Sequence, residues 1–305
     1  MTELQESITD DSWKQSLRSE IITVLTESGQ TKNQALEQVG YYYQYCAPAF
    51  LYKYYRDQSL NLDSVMSNKM WYSAPCNFND AFDCDVAIDE QAIFNNILPL
   101  ISGGRAIRKG SPKWIQYKGS LHKQIKILQK LFANQKISMG ITCLSEAPDS
   151  ILMWSHYANN HRGFCVSYNL LALNQKLQFS AVPVLYTQDR VCLHSISLDQ
   201  DKLSKETMSL FIKSITSKST DWSYEKEWRI IQDETACGPK WDDKNKGALL
   251  DTLSPSSIIL GCCASDELTS VLMQHCQNHK IPLYKMEKDP LLYRLNREPI
   301  LEFDE

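Results

Sequence analysis

The sequence predicts an α+β fold: a single mixed-sheet domain with an N-terminal helical extension. Three observations lead there. The chain opens on apolar residues at helical spacing, the strand-like segments that follow outnumber any regular strand–helix–strand alternation, and a strand–helix–strand series closes it. Its 305 residues, 43% hydrophobic and 22% charged, have the composition of an ordinary folded domain. Neither an internal repeat nor a low-complexity linker divides the chain. The extension is assigned to residues 1–48 and the α+β domain to 49–305, with a basic insertion at 91–136.

Each element has its own signal. Trp13, Leu17, Ile21, Val24 and Leu25 recur at helical spacing, and Thr31 with Gln34 reads as a capping box opening a second helix through Leu36 and Val39. Tyr41 to Tyr45 and Pro48 close it. The aromatic-rich stretch 50–56 predicts a strand, a short helix surrounds Val65, and 70–73 predicts a second strand. A polar loop starts at Pro75. In the basic insertion, Leu121, Ile125, Leu128 and Phe132 mark one face of a helix, and 137–144 reads as a strand ended by Ser145 and Pro148. Residues 148–158 predict a helix, NNHRG a polar turn, and alternating Phe164, Val166 and Tyr168 a strand. Further strands are predicted at 182–186 and 222–231, flanking an amphipathic helix at 199–217. From Ile258 the pattern gives strand, helix (Asp266–His279) and strand (281–286).

The net charge of −4 implies no general attraction for polyanions, yet the charge is unevenly placed. No Asp or Glu occurs between Gln91 and Ser145. That stretch holds Arg105, Arg108, Lys109, Lys113, Lys118, Lys123, Lys126, Lys130 and Lys136, with Trp114 and Tyr117 among them. Lysines neutralise phosphates and aromatic rings stack bases, so Arg105, Lys109, Lys113, Trp114, Lys118, Lys123 and Lys126 are candidate nucleic-acid contacts. The plainer expectation is the solvated side of a helix buried on Leu121 and Ile125.

The longest apolar stretch, 258–264, is far short of the ~20 residues of a membrane span. The acidic start, with Glu3, Glu6, Asp10 and Asp11, lacks the pattern of a secretory leader. A cytoplasmic protein without membrane contact is expected. The ten cysteines are scattered, which suits small buried hydrophobes in a reducing compartment. A zinc site from Cys262, Cys263, His275, Cys276 and His279 is the sharper alternative, but no C-x-x-C pair supports it, and no metal is expected.

The densest polar constellation is Tyr224-Glu225-Lys226-Glu227-Trp228-Arg229. On a strand, alternation puts Glu225, Glu227 and Arg229 on one face. Apolar residues flank the group, and enclosed carboxylates are costly unless paired or used. A solvent-facing edge with cross-strand ion pairs is the plainer reading. Asn79, Asp80, Asp83 and Asp85 would suit Mg²⁺ and phosphodiester cleavage, although Asn and Asp in such a turn commonly bond their own backbone. Trp154 and Tyr157 suit either a core-facing helix or a wall for a planar ring, and His161 is the best placed histidine for proton transfer. P-loop, dinucleotide-fold and nucleophile-elbow motifs are absent from the sequence.

LYKY at 51–54, FNDAFD at 78–83, CLSE with MWSHYANNHRGFC between Cys143 and Cys165, VLY at 184–186 and YEKEWR at 224–229 resemble, in order, the bacterial domain-of-unknown-function 2971 proteins. That resemblance implies kinship and no activity. A more distant one is to ADP-ribosyltransferases, which place a basic residue on an early strand, a Ser or Thr strand in the middle and Glu-x-Glu near the end. Here those positions fall on Lys53 and Arg56, on Thr142 and Ser145, and on Glu225 and Glu227.

The resemblance implies an ADP-ribosyltransferase-like fold with NAD as substrate and no metal. Lys53 or Arg56 would hold the dinucleotide, Ser145 brace the nicotinamide pocket, Glu227 bind the nicotinamide ribose and Glu225 orient the acceptor. Trp154, Tyr157, His161 and Arg229 would complete the binding surface. Loss of nicotinamide leaves an oxocarbenium-like sugar, which a fixed carboxylate stabilises. The expected protein is an ADP-ribosyltransferase or NAD glycohydrolase-like effector or toxin, with nucleic acid as a candidate acceptor and a neutralising protein as a candidate partner. A metal-dependent nuclease and a non-enzymatic module that binds nucleic acid or protein are the alternatives. The transferase reading requires Glu225, Glu227 and Arg229 to share a cleft with Lys53 or Arg56, and Trp154 and Tyr157 to face a cavity bounded by Ser145 and His161.

Overall fold

The computed structural model describes residues 11–177 and 181–303. The chain divides between Pro48 and Ala49 into two compact units. In the first, helices α1 (Ser12–Thr26) and α2 (Gly29–Tyr45) pack together. Leu17, Ala35, Val39 and Tyr43 are buried, as their spacing requires. The first ten residues of the predicted extension lie outside the described residues.

The second unit is α+β, built on one large mixed sheet. Its strands are β1 (Phe50–Tyr55), β2 (Lys69–Ser73), β3 (Met139–Ser145), β4 (Phe164–Asn169), β5 (Val182–Pro183), β6 (Glu227–Asp233), β7 (Trp241–Asp242), β8 (Gly247–Asp251), β9 (Ser257–Leu260), β10 (Leu283–Lys288) and β11 (Leu295–Leu301). They run in the order β7-β8-β2-β3-β1-β4-β9-β10-β11, with β6 paired to β3 and β5. All these pairs are antiparallel except β9 with β10. That parallel pair is joined by a helix (Asp266–His279), the crossover such a pair needs. Ile141, Leu144, Phe164, Val166, Trp228, Ile230 and Ile259 form the interior.

One irregularity positions the site. Strand β3 pairs with β6 over its whole length, from Ser145↔Glu227 to Met139↔Asp233. It meets β1 only at Ser145↔Tyr52 and β2 only at Ile141↔Ser73. From Leu144 back along β3 and from Lys53 onward along β1 the two strands therefore separate, and a cavity opens between them. Lys53 reaches across the gap, its Nζ donating to Thr142 Oγ1 at 2.8 Å and to the Cys143 carbonyl at 3.3 Å.

The basic insertion consists of two helices, α3 (Glu90–Ile101) and α4 (Pro112–Ser138), joined by a glycine-rich connection. Ile93, Phe94 and Ile97 pack on Leu121 and Ile125. Trp114 and Tyr117 turn to the same cluster, and Trp114 meets Phe94 edge-on at 5.4 Å. They are thus packing residues rather than free stacking rings, because their helix positions fall on the apolar stripe.

Among the described residues no helix is long and apolar enough to cross a membrane. All ten cysteines are free thiols. On Asp266–His279, Cys276 is buried with Leu268 and Leu272, while the His275 and His279 rings lie 4.5 Å apart, tilted by 40°. Among the described residues no group of three or more His, Cys, Asp or Glu is arranged to hold a metal.

Candidate active site

The cavity between the parted strands is about 410 Å³ and is lined by Lys53, Arg56, Asn79, His156, Tyr157, Lys218, Glu225 and Glu227, among others. Two predicted carboxylates and two predicted cations therefore share it. The predicted strand over 222–231 is instead two elements. A 3-10 turn covers Thr220–Glu225, Lys226 takes a left-handed conformation with φ 44°, and β6 begins at Glu227. Glu225 thus reaches the cluster from the end of a turn. Only Glu227 and Arg229 share a strand face, as period-two alternation requires.

Arg229 organises the floor. Fully buried, it donates from Nε to Glu227 Oε1 at 2.8 Å, and from its two terminal nitrogens to Asp83 at 2.8 and 2.7 Å. The same nitrogens reach Glu227 Oε2 at 3.1 Å and the Ile215 carbonyl at 2.9 Å. Lys218 supplies the second cation. Its Nζ lies 2.6 Å from Glu225, 3.3 Å from Glu227 and 3.6 Å from Asp83. Pairing of Tyr186 with Lys218 in a short parallel ladder holds it there.

Three carboxylates facing two cations leave one negative charge in excess, and Glu225 carries the consequence. Burial, followed by the charge of Glu227, raises its pKa, with Lys218 and Tyr157 opposing. Burial alone would raise Glu227 as well, but Arg229 and Lys218 outweigh it and hold that carboxyl at about 2. The two carboxyls are thus pushed in opposite directions. Tyr157 donates its hydroxyl to Glu225 Oε1 at 2.5 Å, and Asn79 bonds Tyr157 in turn. Burial lowers the pKa of Lys53, while Arg56 stands exposed at the rim with no carboxylate in ion-pair distance among the described residues.

Four residues expected to bind cofactor have other work. Ser145 is buried in the β3 terminus, donating to the Glu225 carbonyl at 2.5 Å and accepting from Ala147 N at 3.0 Å. Trp154 is fully enclosed, with Nε1 on the Pro148 carbonyl at 2.8 Å and its ring edge-on to Tyr54. It is a core residue because it sits three positions from Tyr157 but on the buried side of a short helix, Ile151–Tyr157. His161 lies in a left-handed turn, contacts Ser155 Oγ at 3.0 Å, and lines a different cavity with Cys262 and Lys288. Arg229 has its side chain committed to Asp83 and Glu227. Ser145, Trp154 and Arg229 support the cavity from behind its wall, and His161 lies apart from it.

Lys218 escaped the sequence reading because SKST resembles any polar turn. Asp83 does not bond its own backbone through its side chain as the loop reading expected, whereas Asp80 does, accepting from Phe82 N at 2.9 Å. The signal for Asp83 was its place in FNDAFD. Other quoted pieces converge on the same cluster. Tyr186 of VLY accepts from Glu227 N at 2.8 Å, and Glu146 of CLSE accepts from Trp228 Nε1 at 2.7 Å.

Residues 153–230 match the family described as Protein of unknown function (DUF2971). The matched span includes Tyr157, Tyr186, Lys218, Glu225, Glu227 and Arg229. No curated protein and no solved structure matches the chain. These comparisons lend no support to the resemblance to ADP-ribosyltransferases.

Proposed function

We propose that the cavity binds NAD and cleaves its nicotinamide–ribose bond, passing the ADP-ribosyl group to water or to a second acceptor. The observation that carries this reading is the pair of carboxylates in one cavity with ionisations pushed apart, Glu227 held at about 2 and Glu225 raised. Separated ionisation divides two tasks between chemically identical groups. Glu227 stays anionic and stabilises the positive charge that grows on the ribose as neutral nicotinamide departs with the bonding electrons. Glu225, the stronger base, takes the proton of the attacking hydroxyl as the new C–O bond forms. Tyr157 orients Glu225 through its hydroxyl, and Arg56 with Lys53 offers positive charge to the pyrophosphate.

The nuclease reading fits less well. A divalent ion would have to sit where Asp83, Glu225 and Glu227 converge, and the Lys218 ammonium occupies that point. The test is release of nicotinamide from NAD by the purified protein. We expect Glu225→Gln to retain the fold and lose about 100-fold in rate, the scale of one preorganised polar contact. A wild-type protein that releases no nicotinamide, or a Glu225→Gln variant of undiminished rate, would overturn the reading.

A further inference from the structure

We infer that the outer side of α4 is a binding surface for the phosphate backbone of duplex nucleic acid, separate from the NAD reading and carried by other residues. Turning by 100° per residue places Lys123, Lys126 and Lys130 together, directly opposite the buried Leu121 and Ile125. All three are exposed, as is Lys113 in the first turn. Rises of about 4.5 and about 6 Å separate the three along the axis, well inside the ~8 Å screening length of physiological salt, so they repel one another. No acidic residue between Gln91 and Ser145 relieves that repulsion. Nor does any carboxylate elsewhere among the described residues lie within ion-pair distance of these four lysines; in the insertion, Lys136 pairs with Asp85 and the His122 ring lies 3.3 Å from Glu90. A closely spaced row of phosphates would supply the missing countercharge, and release of its counterions would drive binding.

The structure also says how such a partner is contacted. Trp114 packs on Phe94, and the Lys118 ammonium lies 5.1 Å above its ring, so no aromatic face is presented to a base. Binding is therefore a matter of backbone charge, indifferent to sequence and without need of unstacked bases. A lipid surface fits less well. Leu121 and Ile125 of α4 are consumed by packing on α3, and of the exposed apolar residues only Ile127 and Leu131 adjoin, one turn apart, while Ile115 lies about three turns away, too small a patch for a membrane-binding face. The surface also leads toward the cavity. The C-terminal end of α4 packs against Pro75–Asn77, and Asn77, Phe78 and Asn79 line the cavity wall.

The test is fluorescence anisotropy of a labelled 20-base-pair DNA duplex between 50 and 200 mM salt, using the full chain and a variant with Lys113, Lys123, Lys126 and Lys130 all changed to Gln, which favours helix nearly as well. At about −0.9 in log–log slope per phosphate contact, loss of four lysines should flatten the slope by about 3 to 4 and weaken binding at least ~10-fold at 50 mM salt. A Lys123→Gln, Lys130→Gln double variant should fall midway. Circular dichroism checks that helix content is kept. No duplex binding at 50 mM salt, equal slopes for wild type and the fourfold variant, or binding to phosphatidylserine vesicles but not to duplex would each overturn the inference. The fourfold variant should release nicotinamide as wild type does, and Glu225→Gln should bind duplex as wild type does. Either proposal can thus fail without the other.

Discussion

Arg229 uses its whole guanidinium inside the protein, forking to Asp83 on one side and to Glu227 on the other. A lysine there could not reproduce the paired geometry and would leave one enclosed carboxylate with Lys218 as its remaining cation. We expect Arg229→Lys to lower unfolding free energy by about 3–5 kcal/mol, the scale for breaking a buried pair from one side, as read by urea denaturation. A loss below about 1 kcal/mol would show that the cluster is wetter than its geometry indicates. Glu227→Gln strikes the same network and is for that reason the poorer catalytic test, since lost activity would be mixed with lost fold. The pH dependence follows from the same residue. Glu227 is held at about 2 against an ordinary value of 4.5, so its contribution is present above about 4.5 and disappears as pH falls toward 2. Denaturation at pH 5 and pH 3 should differ by about 2 kcal/mol through this group, at ~1.4 per pKa unit, and an equal midpoint at both would contradict it. Glu225 acts in the opposite sense: its raised pKa makes its share of stability largest when protonated and smaller as pH rises through that pKa.

Among the elements, the NNHRG turn shows what its sequence is for. Asn159, Asn160 and His161 are three successive left-handed residues, with φ of 48°, 53° and 66°, a conformation asparagine tolerates better than most side chains. The turn lets the His161 carbonyl accept from Cys263 N and brings Gly163 so close to β1 that a Cβ would stand 2.0 Å from the Tyr55 carbonyl. Gly163→Ala should therefore prevent native assembly of β1 with β4, seen as loss of the thermal unfolding transition; a variant melting within a few degrees of wild type would refute this. The periodicity of α1, α2 and the Asp266–His279 helix was legible because each has one apolar side. By contrast, β7 has two residues and β11 is an exposed edge strand containing Pro299, so neither carries the alternation that announces a half-buried strand. The 3-10 turn before β6 hid for another reason: a single left-handed lysine, Lys226, breaks a run that otherwise alternates.

Across the whole molecule, segments far apart in sequence meet at one parting of strands. LYKY supplies Lys53, FNDAFD supplies Asp83, MWSHY supplies Tyr157 and YEKEWR supplies Glu225, Glu227 and Arg229, while CLSE and VLY brace them. The YEKEWR cluster was legible in the chain because charged residues flanked by apolar ones stand out, whereas the other pieces were marked by the family resemblance. Which side chains touch the cavity was not. Ser145 and Trp154 have the chemistry of ligand-binding residues but were turned inward by pairing and packing that only the assembled sheet decides, His161 faces a different cavity, and Lys218 had no local signal at all. The separation of the two glutamate ionisations is the claim on which the functional reading depends. It is tested most directly by a carbon-13 NMR titration of the glutamate carboxyls, assigned with Glu225→Gln. The Glu225 carboxyl should titrate above the ordinary carboxylate range while the Glu227 carboxyl keeps its ionised shift down to about pH 2. Two glutamates titrating together near 4.5, or Glu227 protonating first, would contradict the account.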